Sequence, residues 1–298
     1  MAAELASRSA RRILLATDLS ARCDRALDRA AMLVAESSAH LTVVHAFEAD
    51  VYALTRDPRP APSWRQQPNL KQAIAVKQLH QDLGQLDVPF DVVLEEGEPA
   101  EVILRSANQS GDQLIVTGIA RGETFGRYIF GGTVDRLVRN ATLPVLVVKN
   151  RARTPYRDIV VATDFSQASR RAIDETTRMF PEARITLLHC YESTPSSMTR
   201  PISGAEGGRQ FAEGEYRDFI NGDPASAARL AGLPIYMEKG SIDCVIHAHA
   251  ADKSLDLVVI GSQGKNVVTR VLIGSTAEMA MASAPTDVLV IPPAVRAA

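Results

Sequence analysis

The sequence predicts an α/β protein made of two tandem open five-stranded parallel sheets, each covered by helices on both faces. Two observations carry that prediction: the chain repeats itself, and within each repeat short apolar β-type runs alternate with helical stripes. Ile13-Leu-Leu-Ala-Thr-Asp-Leu-Ser20 returns as Ile159-Val-Val-Ala-Thr-Asp-Phe-Ser166, 146 residues on. Leu41-Thr-Val-Val-His45 returns as Ile185-Thr-Leu-Leu-His189, and Leu114-Ile-Val-Thr-Gly118 as Leu257-Val-Val-Ile-Gly261. The offset drifts by only a few residues, so two equivalent domains are expected, residues 1–150 and 151–298. The polar stretch Asn150-Arg-Ala-Arg-Thr-Pro155 links them.

In the first repeat, Ile13 to Ala16 reads as a strand, and Leu27, Ala30, Ala31 and Val34 mark a helix by their i, i+3, i+4, i+7 spacing. Leu41 to His45 is the second strand. After a proline-rich stretch, Val76, Leu79, Leu83 and Leu86 give another helical stripe. Val92 to Leu94, a helix around Val102 to Ala107, Leu114 to Thr117, a helix over Thr133 to Asn140, and Val145 to Val148 complete the repeat. The second repeat runs through Ile159 to Ala162, Ile185 to His189, Ile235 to Glu238, Leu257 to Ile260 and Val288 to Ile291. Its stretch Ser193 to Gly222, rich in Ser, Gly, Pro and charge, reads as a mobile excursion between strands 2 and 3. Apolar runs without alternation are those of strands buried on both faces.

Composition narrows the function. The 298 residues are 46% hydrophobic and 23% charged, with mean hydropathy −0.04, the profile of a soluble globular chain. Lys plus Arg against Asp plus Glu is 17 to 18 before residue 150 and 16 to 17 after it. That balance argues against a nucleic-acid footprint or a basic membrane arm, so any anion must be bound locally. No apolar run reaches the roughly 18 residues of a membrane helix, and residues 1–12 lack the apolar core of a signal peptide. Cys23, Cys190 and Cys244 are too few and scattered for a disulfide framework. A cytoplasmic location is expected.

In open α/β sheets, ligands sit beyond the carboxyl ends of the strands where the strand order reverses. Asp18 and Asp164 follow strand 1 there, each two residues ahead of a serine able to cap the next helix. Such a carboxylate can accept from a ribose or a base edge; equally, Thr-Asp-x-Ser can be an Asx-turn and helix cap alone. After strand 4 the second repeat reads Gly261-Ser-Gln-Gly264, nine residues, then Gly274-Ser275-Thr276 opening a helix. Glycines admit a ligand close to the backbone, and the helix start offers N–H groups and hydroxyls to phosphate. The alternative is that the glycines turn the chain and Ser275 caps the helix.

The Asp after strand 1, the spaced glycines after strand 4 and the duplication together resemble the universal stress protein family in its tandem form. Its nucleotide-binding members carry G-x2-G-x9-G-[ST], which Gly261 to Ser275 matches position for position. The resemblance implies a Rossmann-like, nucleotide α-hydrolase-like fold, with the two halves packed as a pseudo-dimer through their fifth strands; a further homodimer stays open. It implies a stress-responsive protein that binds ATP, with or without Mg²⁺. The adenine would lie near Ala162, Asp164 and Cys190, and the ribose and phosphates from Ile260 and Gly261 through Gly264 to Gly274, Ser275 and Thr276. The first repeat departs from the pattern: Gly118-Ile-Ala-Arg121, nine residues, then Gly131-Gly132-Thr133. Arg121 replaces a glycine and Gly132 replaces the serine, so the site around Asp18 is expected to be empty or repurposed, Arg121 pairing with another anion.

Other features carry less. Gly264-Lys265-Asn266 lacks the spacing and hydroxyl of a P-loop. His247 and His249 sit two apart on a predicted helix and face different ways. His45 and His189 end strand 2 and read as core-edge residues, and Trp64 as a packing anchor. With no nucleophile elbow, general base or arginine finger, turnover is expected to be at most slow ATP hydrolysis. A ligand-free interaction scaffold is the remaining class.

Overall fold

The structure, a computed structural model, describes residues 11–21, 23–47, 70–84, 86–111, 113–119, 123–124, 127–128, 131–191, 205–252, 254–263 and 274–293. The first half runs β1 (Arg12–Ala16), α1 (Asp24–Ser37), β2 (His40–Phe47), α2 (Leu70–Leu83), β3 (Phe90–Glu96), α3 (Pro99–Ser110), β4 (Leu114–Gly118), the ribbon β5 (Glu123–Thr124) and β6 (Arg127–Tyr128), α4 (Gly132–Asn140) and β7 (Val145–Val148). The second runs β8 (Asp158–Ala162), α5 (Gln167–Met179), β9 (Arg184–Tyr191), α6 (Ala205–Asn221), α7 (Pro224–Ala231), β10 (Ile235–Lys239), α8 (Ile242–Asp252), β11 (Leu257–Gly261), α9 (Ser275–Ser283) and β12 (Asp287–Ile291).

Ten strands form one sheet in the order β10-β9-β8-β11-β12-β7-β4-β1-β2-β3. In this sheet the pairs within each half are parallel, and the halves meet through an antiparallel pair that sets Val288 against Val147 and Val290 against Val145. The fifth strands therefore cover each other's apolar edges, as expected of a pseudo-dimer, which leaves the ends of the sheet to β3 and β10. Each half reverses its strand order between strands 1 and 4, so a crevice lies beyond β1 and β4 and its counterpart beyond β8 and β11.

Successive strand residues enter different cores. Ile13 and Leu15 pack with Ala30 and Leu33 of α1 and Ile173 of α5. Leu14 and Ala16 face the layer holding Val102 of α3, Leu137 of α4, Ile246 of α8 and Ala280 of α9. Local chemistry sets the helix ends. Pro99 opens α3, the Glu98 carboxylate accepts from the Glu101 amide at 2.9 Å, and Gly111 at φ +67° ends the helix in a conformation natural to glycine.

Three expectations change. The excursion over Ser193–Gly222 is, from Ala205 to Asn221, the helix α6; its residues 193–204 lie outside the described ones. Ala212 and Phe219 are buried and Tyr216 packs on Phe165, an i, i+4, i+7 stripe that the surrounding glycines disguise. Strand 3 is β3, seven residues paired with β2 from Leu41–Phe90 to Phe47–Glu96, longer than its apolar centre because an edge strand tolerates exposed carboxylates. Ser20 does not cap α1, which starts after Cys23 without a side-chain cap, whereas Ser166 caps α5 by accepting from the Ser169 amide at 3.2 Å.

A buried polar cluster closes the seam between the halves. Asp287 Oδ1 accepts from the amides of Lys149 (2.8 Å) and Asn150 (2.9 Å). Its Oδ2 accepts from the Tyr156 hydroxyl (2.5 Å) and lies 3.6 Å from Arg29 Nε. The Arg29 guanidinium sits over the Tyr156 ring, 3.9 Å from its centre. Lys149 is fully buried, and its ammonium donates to the carbonyls of Met281 (2.6 Å) and Ala284 (2.7 Å), where α9 ends. A cation there satisfies orphan carbonyls at the negative end of the helix dipole.

Candidate functional site

The crevice of the second half is built by two chain reversals. At the end of β8 the Thr163 amide donates to Leu188 O (2.9 Å) and the Thr163 hydroxyl accepts from the Phe165 amide (3.0 Å). Phe165 is thereby held at φ +60°, a left-handed conformation that costs a non-glycine residue on the order of 1 kcal/mol. The first half repeats the turn: Leu19 stands at φ +60° and its amide donates to the Thr17 hydroxyl (3.0 Å). The same strained position in both repeats, at a strand end beside the switch point, is where strain accompanies function.

Both halves form the Asx-turn, and only the second adds the serine cap. Asp164 Oδ1 accepts from the Ser166 amide (3.0 Å) and the Ser169 hydroxyl (2.6 Å). Asp18 Oδ1 accepts from the Ser20 amide (2.9 Å), the Ser20 hydroxyl (2.5 Å) and the Cys23 thiol (3.1 Å). The turns differ in that a thiol reaches Asp18 where a serine hydroxyl reaches Asp164.

Two histidines that read as core-edge residues belong to this architecture. His189 Nδ1 lies 2.8 Å from Thr163 O, and His45 Nδ1 lies 2.9 Å from Thr17 O. A carbonyl only accepts, so Nδ1 carries the proton in each ring. His189 also stacks on Phe165 with ring centres 4.2 Å apart. Each histidine thus pins the carbonyl just before the Asp. Recurrence of His at the end of strand 2 in both repeats was the signal available for it.

Ala162 ends β8 beside Leu188, and Cys190 sits one residue before the end of β9. Burial pushes the Cys190 thiol up to about 12, with Glu238 and Asp243 adding to the rise. Burial likewise raises Cys23 to about 11, with contributions of both signs from Asp18. Both thiols are therefore neutral and serve as packing or polar contacts rather than nucleophiles.

Ile260 and Gly261 end β11. A Cβ on Gly261 would meet Ala168, in the first turn of α5, at 3.4 Å, the near limit of ordinary contact. The Ser262 amide donates to Ile291 O (2.9 Å) and the Gly274 amide to Ser262 O (3.0 Å), so the chain leaves and re-enters the crevice at one place. Gly274 is the N-cap of α9 in extended conformation, with no side-chain cap bond. The side chains of Ser275 and Thr276, and Gly264, lie outside the described residues.

The first half is laid out alike. Gly118 ends β4, and Gly131 caps α4 with no side-chain bond. Gly132 and Thr133 open α4, and a Cβ on Gly132 would meet nothing within 4 Å. Arg121 lies outside the described residues. Among the described residues no three His, Cys, Asp or Glu side chains are placed to hold a metal, and no helix is long and apolar enough to cross a membrane.

The universal stress protein family matches residues 9–149 and again 155–292. Universal stress protein E of Escherichia coli K12 is 24% identical over 221 residues, 69% of this chain and 69% of that protein. The crystal structure of a universal stress protein from Archaeoglobus fulgidus superposes with a TM-score of 0.64 at 17% identity, covering 95% of this chain and 96% of its own. A universal stress protein from Archaeoglobus fulgidus in complex with dAMP aligns with 47% of this chain and 98% of its own, at 19% identity and a TM-score of 0.35. The duplicated α/β halves and the family's match to each of them lead to one assignment: the chain belongs to the universal stress protein family, with two of its domains in tandem.

Proposed function

We propose that this protein is a stress-responsive nucleotide-binding protein whose second half takes ATP, its occupancy altering conformation or partners. The observation that carries the reading is the start of α9. There Gly274 caps the helix with no side-chain bond, beside the switch-point crevice of β8 and β11 and within the G-x2-G-x9-G-S spacing. Amide donors at a helix start, with the positive end of the dipole behind them, suit a polyphosphate. Ala162, Asp164 and Cys190 would face the adenine and ribose, and Gly261, Gly264, Gly274, Ser275 and Thr276 the phosphates. Mg²⁺ would be carried on the phosphates. Its ordinary chemistry is to neutralise their charge; this chain's residues bind and orient the nucleotide.

Calorimetric titration with ATP tests this. Gly274→Val is expected to abolish binding by blocking backbone approach, and Ser275→Ala to weaken it by about 1 to 2 kcal/mol, the scale of a charge-assisted hydrogen bond. Unchanged affinity in a folded Gly274→Val variant would put the site elsewhere. Release of ADP from Mg²⁺-ATP at more than a trace rate would move the protein into the class of nucleotide-dependent enzymes.

A further inference from the structure

At the amino ends of β1, β4 and β8, away from the strand ends that form the crevices, a cavity of about 320 Å³ opens between the two halves. That volume falls in the range of small-molecule sites. Its walls are drawn from equivalent places in the two repeats. Arg11 and Arg157, Leu33 and Met179, and Glu36 and Glu182 all line it, and each pair is separated by the 146 residues that relate β1 to β8. The cavity therefore straddles the local twofold axis and exists only because the halves are joined.

Its chemistry is mixed in a directed way. Ile13, Leu114 and Phe180 are buried side chains at its apolar walls. Among the described residues the charged lining has four guanidiniums, Arg11, Arg12, Arg157 and Arg178, against the carboxylates of Glu36 and Glu182. Arg178 is engaged by Glu175 at 2.6 Å and Arg12 lies 3.5 Å from Asp91. Arg11 donates only a long bond, 3.5 Å, to the Arg178 carbonyl, and among the described residues neither Arg11 nor Arg157 is in an ion pair. Burial raises the Glu36 carboxyl while Arg29 and Arg157 act against it, so charge from the second half is felt by a residue of the first. An apolar cavity with a surplus of planar, bidentate donors complements an apolar body that ends in a carboxylate.

We propose that this cavity is a second ligand site, taking a small amphipathic carboxylate whose apolar body lies between Leu33 and Met179 and whose carboxylate meets Arg11 and Arg157. The site is independent of the nucleotide crevices, and a ligand there touches both halves at once.

The test uses the full chain and 4-phenylbutyrate as probe, with 4-phenylbutanol as its uncharged counterpart. Titration calorimetry is expected to give one site per chain for the carboxylate in the micromolar to millimolar range, and at least tenfold weaker binding of the alcohol. Arg11→Gln with Arg157→Gln, both exposed positions, should weaken the carboxylate at least tenfold and leave the alcohol unchanged. Ala183→Trp should exclude both probes by filling the cavity. ATP titrated into the same variants is expected to bind as in the parent, which separates failure here from failure of the nucleotide reading. No carboxylate binding at millimolar concentration, equal binding of the alcohol, or indifference to the arginine changes in variants with parental melting curves would each overturn the proposal.

Discussion

Asp287 belongs to the second half, yet of the four partners of its carboxylate among the described residues, three, Arg29, Lys149 and Asn150, precede the second repeat, and the fourth is Tyr156. Removing one side of a buried ionic cluster costs more than the cluster contributes, because the remaining charge has lost both water and partner. Asp287→Ala is therefore expected to destabilise the protein by about 3 to 5 kcal/mol. Tyr156→Phe, which removes one hydroxyl and keeps the ring beneath Arg29, should cost about 1 to 3 kcal/mol. Urea unfolding orders the two, and equal effects would show that the bond from the Tyr156 hydroxyl carries the whole contribution of the carboxylate to the seam. The thiols give a second prediction at this scale. With Cys190 at about 12, its thiolate fraction at pH 8 is roughly one in ten thousand, so iodoacetamide should label the exposed Cys244 well before Cys190 or Cys23. Because these native values lie above the ordinary 9.0, the native state holds its protons longer. Their stabilising contribution is complete below pH 9 and is lost as pH rises toward 11 and 12. Mass-resolved labelling and unfolding midpoints across that window check both statements.

Among elements, the ends of β8 and β11 decide what the site can be. Gly261 has two readings, as a place where α5 comes close and as a place where a nucleotide does. Its Cβ direction points at Ala168 from 3.4 Å, an ordinary contact distance. Gly261→Ala should therefore fold with less than about 1 kcal/mol lost. If the glycine also serves the ligand, ATP affinity falls in that folded variant; unaltered affinity would leave Gly261 as a packing glycine alone. The strained turns at Leu19 and Phe165 show the same double character, since each is tied by its threonine hydroxyl and the histidine of the neighbouring strand.

For the whole molecule, the duplication makes each half a control for the other. The two crevices share strand order, the Asx-turn and a glycine cap, and differ at Arg121 and Gly132. One ATP per chain is the expected stoichiometry, and Arg121→Gly with Gly132→Ser should raise it toward two. A Cβ added at position 132 meets nothing within 4 Å among the described residues. Two sites in the parent would show that Arg121 does not exclude nucleotide. A single site in the folded double variant would assign the difference to other residues of the first crevice.

The strands at the centre of each half were legible in the sequence because they are buried on both faces and so read as unbroken apolar runs, and the repeat made each identification twice. The turn after strand 1 and the glycine cap after strand 4 were legible too, since both are local chemistry. What tertiary structure decided is whatever depends on partners distant in the chain. The stripe of α6 takes its meaning from Phe165, 51 residues before Tyr216. β3 extends beyond its apolar centre because β2 offers a ladder. His45 and His189 matter through the carbonyls they reach. The Asp287 cluster and the cavity on the twofold arise only where two separately readable halves meet, and no periodicity within either half encodes that meeting.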